Sequence, residues 1–163
     1  MSTRLNFKIV GSGPTGIFLS IALSNLDLNI YLTDLLTREK LIDKDKTYAI
    51  THSTRKILIK FKIWEKLKPF LYAFDTLSIS DSISSSSSIL TIADLDKDIS
   101  ESGDIGWVVK HSDLMNVFFE EIDKHDNIFF NSIQKLSKVN VLFDYKFIST
   151  GANSTQKRFF NFL

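Results

Sequence analysis

The stretch FKIVGSGPTGIFLSIAL, from Phe7 to Leu23, decides the fold. A short apolar strand leads into a glycine-rich turn, and apolar residues then recur at helical spacing. The pattern G-x-G-x-x-G predicts that the first glycine allows a tight turn, the second lets the backbone approach a pyrophosphate, and the third lets helix and strand pack closely. The N–H groups and the positive dipole end of the helix can then hold phosphates. The candidate binding residues of this turn are Gly11, Gly13, Pro14, Thr15 and Gly16.

An acidic residue lies where such a turn needs one. The segment Asn29–Asp34 predicts a second strand, which completes a βαβ unit of about 30 residues. Asp34 ends that strand, 18 residues after Gly16, where its carboxylate can bind a ribose hydroxyl. This setting indicates a dinucleotide site. The alternative is that the three glycines serve only the backbone turn of a fold that has lost its ligand.

Strands and helices alternate along the rest of the chain. Two further helices are predicted, one capped by Ser53 and one capped by Ser112. Their inner faces are predicted to carry Ile57, Phe61, Trp64 and Leu67 in the first helix, and Leu114, Val117, Phe118 and Ile122 in the second. Strands are expected at Thr76–Ser80, Gly106–Lys110, Asn127–Phe130 and Lys146–Thr150, and a flexible loop or hairpin turn at Ser84–Ser88. The alternation indicates an α/β fold with a largely parallel sheet, and the length predicts one domain, residues 1–163.

Composition argues against several classes of function. The 20 basic and 19 acidic residues are mixed along the chain, so we expect no nucleic-acid partner. The chain has no cysteine, which fits a reducing cytoplasm. His52, His111 and His125 lie far apart, so no metal site is expected. No apolar run approaches the length of about 20 residues that spans a bilayer, so we expect no transmembrane segment.

Four segments carry a resemblance to a known family: IVGSGPTGIFLSIAL, TYAITHSTRKILIKFKIWEKL, GWVVKHSDLMNVFFEEI and FISTGANSTQKR. In this order and spacing they resemble the N-terminal half of the flavin-dependent ring hydroxylases of ubiquinone biosynthesis, in the para-hydroxybenzoate hydroxylase superfamily. The resemblance covers nearly the whole chain. It implies a Rossmann-like domain that binds FAD, and hydroxylation of an aromatic quinone precursor with NAD(P)H and O₂. It also implies that any membrane contact is peripheral, since the family's substrates carry lipid tails.

The resemblance assigns roles to single residues. The three glycines would hold the FAD pyrophosphate, and Asp34 would bind the adenosine ribose where the family usually has glutamate. Lys46 matches a family arginine that contacts the flavin nucleotide, and its alternative role is an ordinary solvated charge. His111 matches a position near the cofactor that the family often fills with a polar or basic residue. The alternative for His111 is a surface residue beside a Ser112 helix cap.

The segment STGANSTQKR resembles the second nucleotide motif of the family. Gly151 and Ser154 match that motif, whereas Thr150 replaces its aspartate and Lys157 replaces its arginine. Threonine cannot supply the two acceptor oxygens of a carboxylate. Because this motif serves both FAD and the nicotinamide in the family, we expect inefficient reduction by NAD(P)H.

The resemblance also implies what is missing. The family's substrate-binding sheet and its Gly-Asp motif have no counterpart in this sequence. We therefore expect the FAD-binding portion of a monooxygenase, inactive alone, which functions only with a second polypeptide or as part of a longer, split or truncated reading frame, and we name no catalytic residue. The alternatives are a non-catalytic Rossmann-like remnant or interaction module, and a small NAD-binding module.

Overall fold

A computed structural model describes residues 4–80, 87–94, 103–132 and 141–151. The strands are β1 (Leu5–Val10), β2 (Leu28–Asp34), β3 (Thr47–Ile50), β4 (Tyr72–Phe74), β5 (Thr76–Ser80), β6 (Ser87–Thr91), β7 (Gly106–Lys110), β8 (Ile128–Ser132) and β9 (Tyr145–Ile148). The α-helices are α1 (Pro14–Leu23), α2 (Arg38–Ile42), α3 (His52–Lys60), α4 (Trp64–Leu67) and α5 (His111–Ile122). None of the described helices has both the length and the apolar character needed to cross a membrane.

The apolar strands β1, β2, β8 and β9 form one parallel sheet, in the order β8-β2-β1-β9. Phe7 of β1 is aligned with Ile30 of β2 on one side and with Tyr145 of β9 on the other. Ile30 is aligned in turn with Ile128 of β8. The expected α/β class with a largely parallel sheet is confirmed.

The order of the strands reverses at β1. The chain passes from β1 to β2, later adds β8 beyond β2, and then places β9 on the opposite side of β1. In open parallel sheets, a ligand crevice forms outside the carboxyl ends of the strands at such a reversal. The residues that follow β1 and β9 therefore mark the expected binding position.

Helices α1 and α5 provide the apolar partners of this sheet. Ile17 of α1 is fully buried, and the rings of Phe18 and Phe118 lie 5.8 Å apart between the two helices. Phe119 of α5 meets Phe130 of β8 edge-to-face at 5.5 Å. The predicted inner face of α5 is confirmed, since Leu114, Val117, Phe118 and Ile122 are all buried.

The chain divides into two compact units: Met1–Lys44 with Leu114–Leu163, and Asp45–Asp113. The parallel sheet belongs to the first unit. The second unit contains an antiparallel sheet in the order β3-β7-β4, which the sequence reasoning did not predict, and the hairpin β5-β6, in which Thr76–Ser80 is a strand as predicted. The serine run enters β6 at its last two residues, and its residues 84–86 lie outside the described part. The prediction of one domain stays a prediction.

Aromatic packing holds the second unit together. Trp64 and Trp107 are buried and meet edge-to-face at 5.0 Å. The guanidinium of Arg55 lies over both indoles, 5.2 Å and 5.1 Å from the ring centres. Trp64 is therefore a packing residue, as its spacing predicts.

Both predicted helix starts differ from the observed ones. The cap of α3 is Thr51, whose side chain accepts a hydrogen bond from the Thr54 N–H at 3.3 Å, so the prediction of Ser53 is wrong. Helix α5 begins at His111, so Ser112 lies inside the helix rather than before it. Hydroxyl-bearing residues lie at several neighbouring positions, and local pattern does not choose among them.

The inner face of α3 also differs from the prediction. Leu58 is the buried residue of this helix, while Ile57 is 48% exposed. The predicted single helix is divided because the chain adopts a left-handed conformation at Lys62, with φ of 58°, between α3 and α4. This break changes which residues after Lys60 share a face with those before it.

Candidate nucleotide-binding site

The first glycine of the turn occupies a position that excludes a side chain. Gly11 has φ of 103°, and an added Cβ would lie 2.5 Å from the carbonyl oxygen of Ser149. Its N–H donates to the Thr33 carbonyl at 2.8 Å, which ties the turn to the end of β2. The tight turn therefore depends on glycine for both its backbone conformation and its contact with the chain after β9.

The third glycine permits close packing of helix and turn. A Cβ on Gly16 would overlap the Gly11 carbonyl oxygen and would lie 2.7 Å from Ser149 Oγ. Helix α1 can therefore begin directly against the turn only because position 16 lacks a side chain.

The second glycine faces open space. An added Cβ on Gly13 meets no atom of the described residues within 4 Å. Gly13 is the N-cap of α1, with φ of −72° and ψ of −179°, and Pro14 follows as the first helical residue. The first turn of α1 carries no acidic residue. A space that a side chain would fill, in front of the N–H groups of a ten-residue helix, fits an anionic group.

Asp34 clamps the turn and retains acceptor capacity. Its Oδ2 accepts from the Ser12 N–H at 2.7 Å, and its Oδ1 accepts from the Leu36 N–H at 3.0 Å. Each carboxylate oxygen has two lone pairs, so both can accept a further hydrogen bond. A ribose hydroxyl is a suitable donor for that role. The clamp on Ser12 is a structural function that sequence spacing alone did not identify.

The end of β9 completes the turn from the other side. Ser149 Oγ donates to the Gly11 carbonyl at 2.8 Å, and the Ser149 N–H donates to the Val10 carbonyl at 2.8 Å. Sequence reasoning missed Ser149, although the adjacent Thr150 and Gly151 were singled out. Gly151 is exposed, with φ of 76°. The predicted Ser154, like Lys157, lies outside the described residues.

Lys46 and His111 lie next to each other in the second unit. The His111 N–H donates to the Lys46 carbonyl at 2.8 Å, while Lys46 itself is exposed. His111 is 1% exposed, so its interpretation as a surface residue is wrong. The Tyr48 hydroxyl lies 2.9 Å from its Nδ1. The Tyr48 phenol is protonated at neutral pH and can donate to that nitrogen, and burial raises its pKa further. The two roles proposed for Lys46 both stay open.

The three histidines make separate local contacts rather than one cluster. His52 Nε2 lies 2.7 Å from the Asp104 carbonyl oxygen, and His125 Nε2 lies 3.5 Å from Ser24 Oγ. Across the described ranges, no three histidine, aspartate or glutamate side chains converge as metal ligands would.

No family model matches the chain. An uncharacterized protein of Synechocystis sp., slr1300, is 31% identical over 78 residues, which are 48% of this chain and 19% of that protein. The chain therefore spans about a fifth of the length of this relative.

Solved structures match a larger part of the chain. p-Nitrophenol 4-monooxygenase from Pseudomonas putida aligns over 81% of this chain and 32% of its own, with a TM-score of 0.61 and 14% identity. A variant of PqsL from P. aeruginosa gives a TM-score of 0.63 at 10% identity, over 80% of this chain and 34% of its own. The flavin-dependent monooxygenase PieE, solved with FAD and substrate, gives a TM-score of 0.58 at 13% identity, over 80% of this chain and 24% of its own. The chain therefore shares its α/β fold with flavin-dependent monooxygenases, over about a third or less of their length.

Proposed function

We propose that this chain binds FAD at the glycine turn and is the FAD-binding part of a flavin-dependent monooxygenase. The observation that carries the proposal is the convergence of the β1 turn, Asp34 and the end of β9 at the reversal of the strand order. The four-segment resemblance and the shared fold support a flavin as the ligand.

The residues of the turn fit the adenosine diphosphate part of FAD. The open space at Gly13 and the N–H groups of α1 would hold the pyrophosphate. The free acceptor positions of Asp34 would bind the hydroxyls of the adenosine ribose. When bound, the flavin supplies the redox chemistry of hydride uptake and oxygen activation. The described residues of the chain bind and orient it.

The finer proposal concerns the complete reaction. We propose an aromatic quinone precursor as substrate and NAD(P)H as reductant, on the strength of the resemblance to the ring hydroxylases. We further propose that turnover requires additional polypeptide, either as a longer chain or as a second one, because the matched monooxygenases extend well beyond the aligned part. Addition of a polypeptide that carries the remaining parts should then give NAD(P)H oxidation that depends on the aromatic substrate. Failure to do so would argue for a non-catalytic remnant.

Flavin binding can be tested with a matched pair of variants at Gly13. Asn and Asp both suit an N-cap, so neither Gly13→Asn nor Gly13→Asp should lower the melting temperature of the chain. Both place a side chain in the space left for the pyrophosphate, and only Asp adds a negative charge. We expect flavin absorbance bands and a micromolar or tighter Kd for the unaltered chain, weaker binding by G13N, and a further loss of about tenfold in G13D.

Three outcomes of this titration would count against the proposal. A folded chain that binds no FAD would favour the remnant. Binding that is equal in the unaltered chain and both variants would place FAD away from the turn. Tight binding of NAD with no affinity for FAD would favour the small NAD-binding module.

A further inference from the structure

The charges of this chain are unevenly distributed, although their totals nearly balance. Six of the 20 basic residues and one of the 19 acidic residues lie between Arg55 and Lys68, so this segment has a formal charge of +5 and the rest of the chain −4. The segment contains α3 and α4 of the second unit. Attraction of an anionic surface would therefore be local to this segment rather than a property of the whole chain.

The outer side of α3 combines cations with large aliphatic side chains. Leu58 points inward, and at 100° per residue Lys56 and Lys60 point directly away from it. Ile57 and Ile59 flank the two lysines and are 48% and 49% exposed. Lys62 is exposed in the turn that follows. We call Lys56, Ile57, Ile59, Lys60 and Lys62 the basic face.

Among the described residues, no carboxylate neutralises the lysines of the basic face. Within the described ranges, Lys56, Lys60 and Lys62 form no ion pair. Arg55 differs, because its guanidinium lies over Trp64 and Trp107 and belongs to the packing of the unit. The three ammonium groups are therefore available to an external anion.

We propose that the basic face docks on the surface of an anionic lipid bilayer. Lysines at a bilayer surface contact lipid phosphates, while their long stems and neighbouring aliphatic side chains lie at the boundary between headgroups and acyl chains. Ile57 and Ile59 each lie about 100° around the helix from Leu58, on either side of the lysines, so they would meet the headgroup region at the edges of the contact. An acidic protein partner fits less well, because lysine is depleted from the core of protein interfaces and a stable one needs about 20 residues per side.

The proposal goes beyond the proposed flavin site and does not depend on it. The basic face lies in the second unit, whereas the glycine turn lies in the first. A chain that binds vesicles without FAD would support the docking and leave the flavin proposal to its own titration. A lipid-tailed substrate would, however, be met at the same bilayer.

Sedimentation with vesicles tests the docking on the full 163-residue chain. Vesicles of phosphatidylcholine with about 30% phosphatidylserine are compared with phosphatidylcholine alone, from about 0.05 to 0.5 M salt. The test variant is K56E/K60E. The control K40E/K146E makes the same change of net charge at exposed lysines of the first unit. A third variant, I57S/I59S, removes the aliphatic part of the face.

We expect binding to the anionic vesicles that weakens with salt and is absent from phosphatidylcholine. K56E/K60E should lower the partition at least about tenfold, while K40E/K146E should retain it. I57S/I59S should lower it about fivefold with its salt dependence kept. No binding to anionic vesicles, or equal losses in the test and control charge variants, would overturn the proposal. Stronger retention by a single-stranded oligonucleotide than by anionic vesicles would also overturn it.

Discussion

The carbonyl oxygen of Gly11 lies where any side chain at position 16 would have to go. The two glycines on either side of Gly13 are thus fixed by steric contact within the protein. Gly13 itself is free of such contact. The three glycines of one motif therefore separate into two that serve the fold and one that can serve a ligand.

This separation predicts different results for the same substitution. Gly16→Ala should lower the free energy of unfolding by about 2 kcal/mol or more, because its methyl group overlaps backbone atoms. Gly13→Ala should change it by less than about 0.5 kcal/mol. Urea denaturation followed by circular dichroism measures both. Equal losses in the two variants would contradict the assigned roles.

The hydrogen bond between Tyr48 and His111 predicts a dependence of stability on pH. Since burial raises the pKa of Tyr48, the unfolded chain loses this proton before the folded chain does as pH rises. The contribution of Tyr48 to the free energy of unfolding is therefore complete below about pH 10 and is lost as the pH rises above it. Tyr48→Phe should cost about 1 kcal/mol at neutral pH, and the gap between the two proteins should narrow above about pH 10.

Thermal melts of both proteins across this pH range make the test. The difference between them isolates Tyr48 from the other tyrosines and the lysines, which titrate in the same range in both. A gap that stays constant with pH would mean that Tyr48 ionises equally in the folded and unfolded chains.

The role of a residue was predictable where the local backbone alone requires that type of residue. The three glycines and Asp34 follow from local spacing. Ser149 was not predictable, because its bond to Gly11 joins residues 138 positions apart. The burial of His111 was missed because polar residues at a helix start are usually exposed or capping.

Helix α3 is the element whose sequence signals were most ambiguous. Thr51, Ser53 and Thr54 all carry hydroxyls near its start, and the extended backbone of Thr51 makes it the cap. The left-handed turn at Lys62 is unusual for a non-glycine residue and has no local sequence signal. By contrast, β1, β2, β5, β7, β8 and β9 were located well, because runs of apolar and β-branched residues mark them directly, whereas the short strands β3, β4 and β6 were not predicted.

The cap assignment gives a prediction at this scale. Thr51→Ala should lower the free energy of unfolding by about 1 kcal/mol, because the Thr54 N–H loses its side-chain acceptor. Ser53→Ala is the matched control and should be nearly neutral. Chemical denaturation of the two variants decides between the caps. A larger loss in S53A would restore the cap that the sequence pattern predicted.

At the scale of the whole molecule, the deciding features are the pairing and the order of the strands. Alternating elements predicted a parallel sheet, but the order β8-β2-β1-β9 depends on contacts between distant strands. The same is true of the antiparallel sheet in the second unit, whose members β3, β4 and β7 are separated by helices and a hairpin. Sequence pattern fixes elements and periods, whereas the reversal that creates the crevice comes from long-range pairing.

Ligand stabilisation of the whole chain distinguishes the parts of FAD that are recognised. FAD at about 100 times its Kd should stabilise the folded chain by about 2.7 kcal/mol, with a melting temperature that rises with the logarithm of concentration. Riboflavin lacks the pyrophosphate and the adenosine ribose, so it should give little shift. ADP should give a measurable one. Equal shifts with riboflavin and FAD would contradict recognition through the glycine turn.

The bond from Ser149 to Gly11 has a consequence for the order of events during synthesis. On the ribosome, the glycine motif emerges more than a hundred residues before the strand that completes it. While the second unit is translated, the βαβ segment therefore lacks β9, the strand that pairs with β1. A nascent chain whose β9 is still inside the ribosome contains all three glycines of the motif but has an incomplete binding site. Nucleotide binding then depends on the arrival of β9 rather than on the presence of the motif alone.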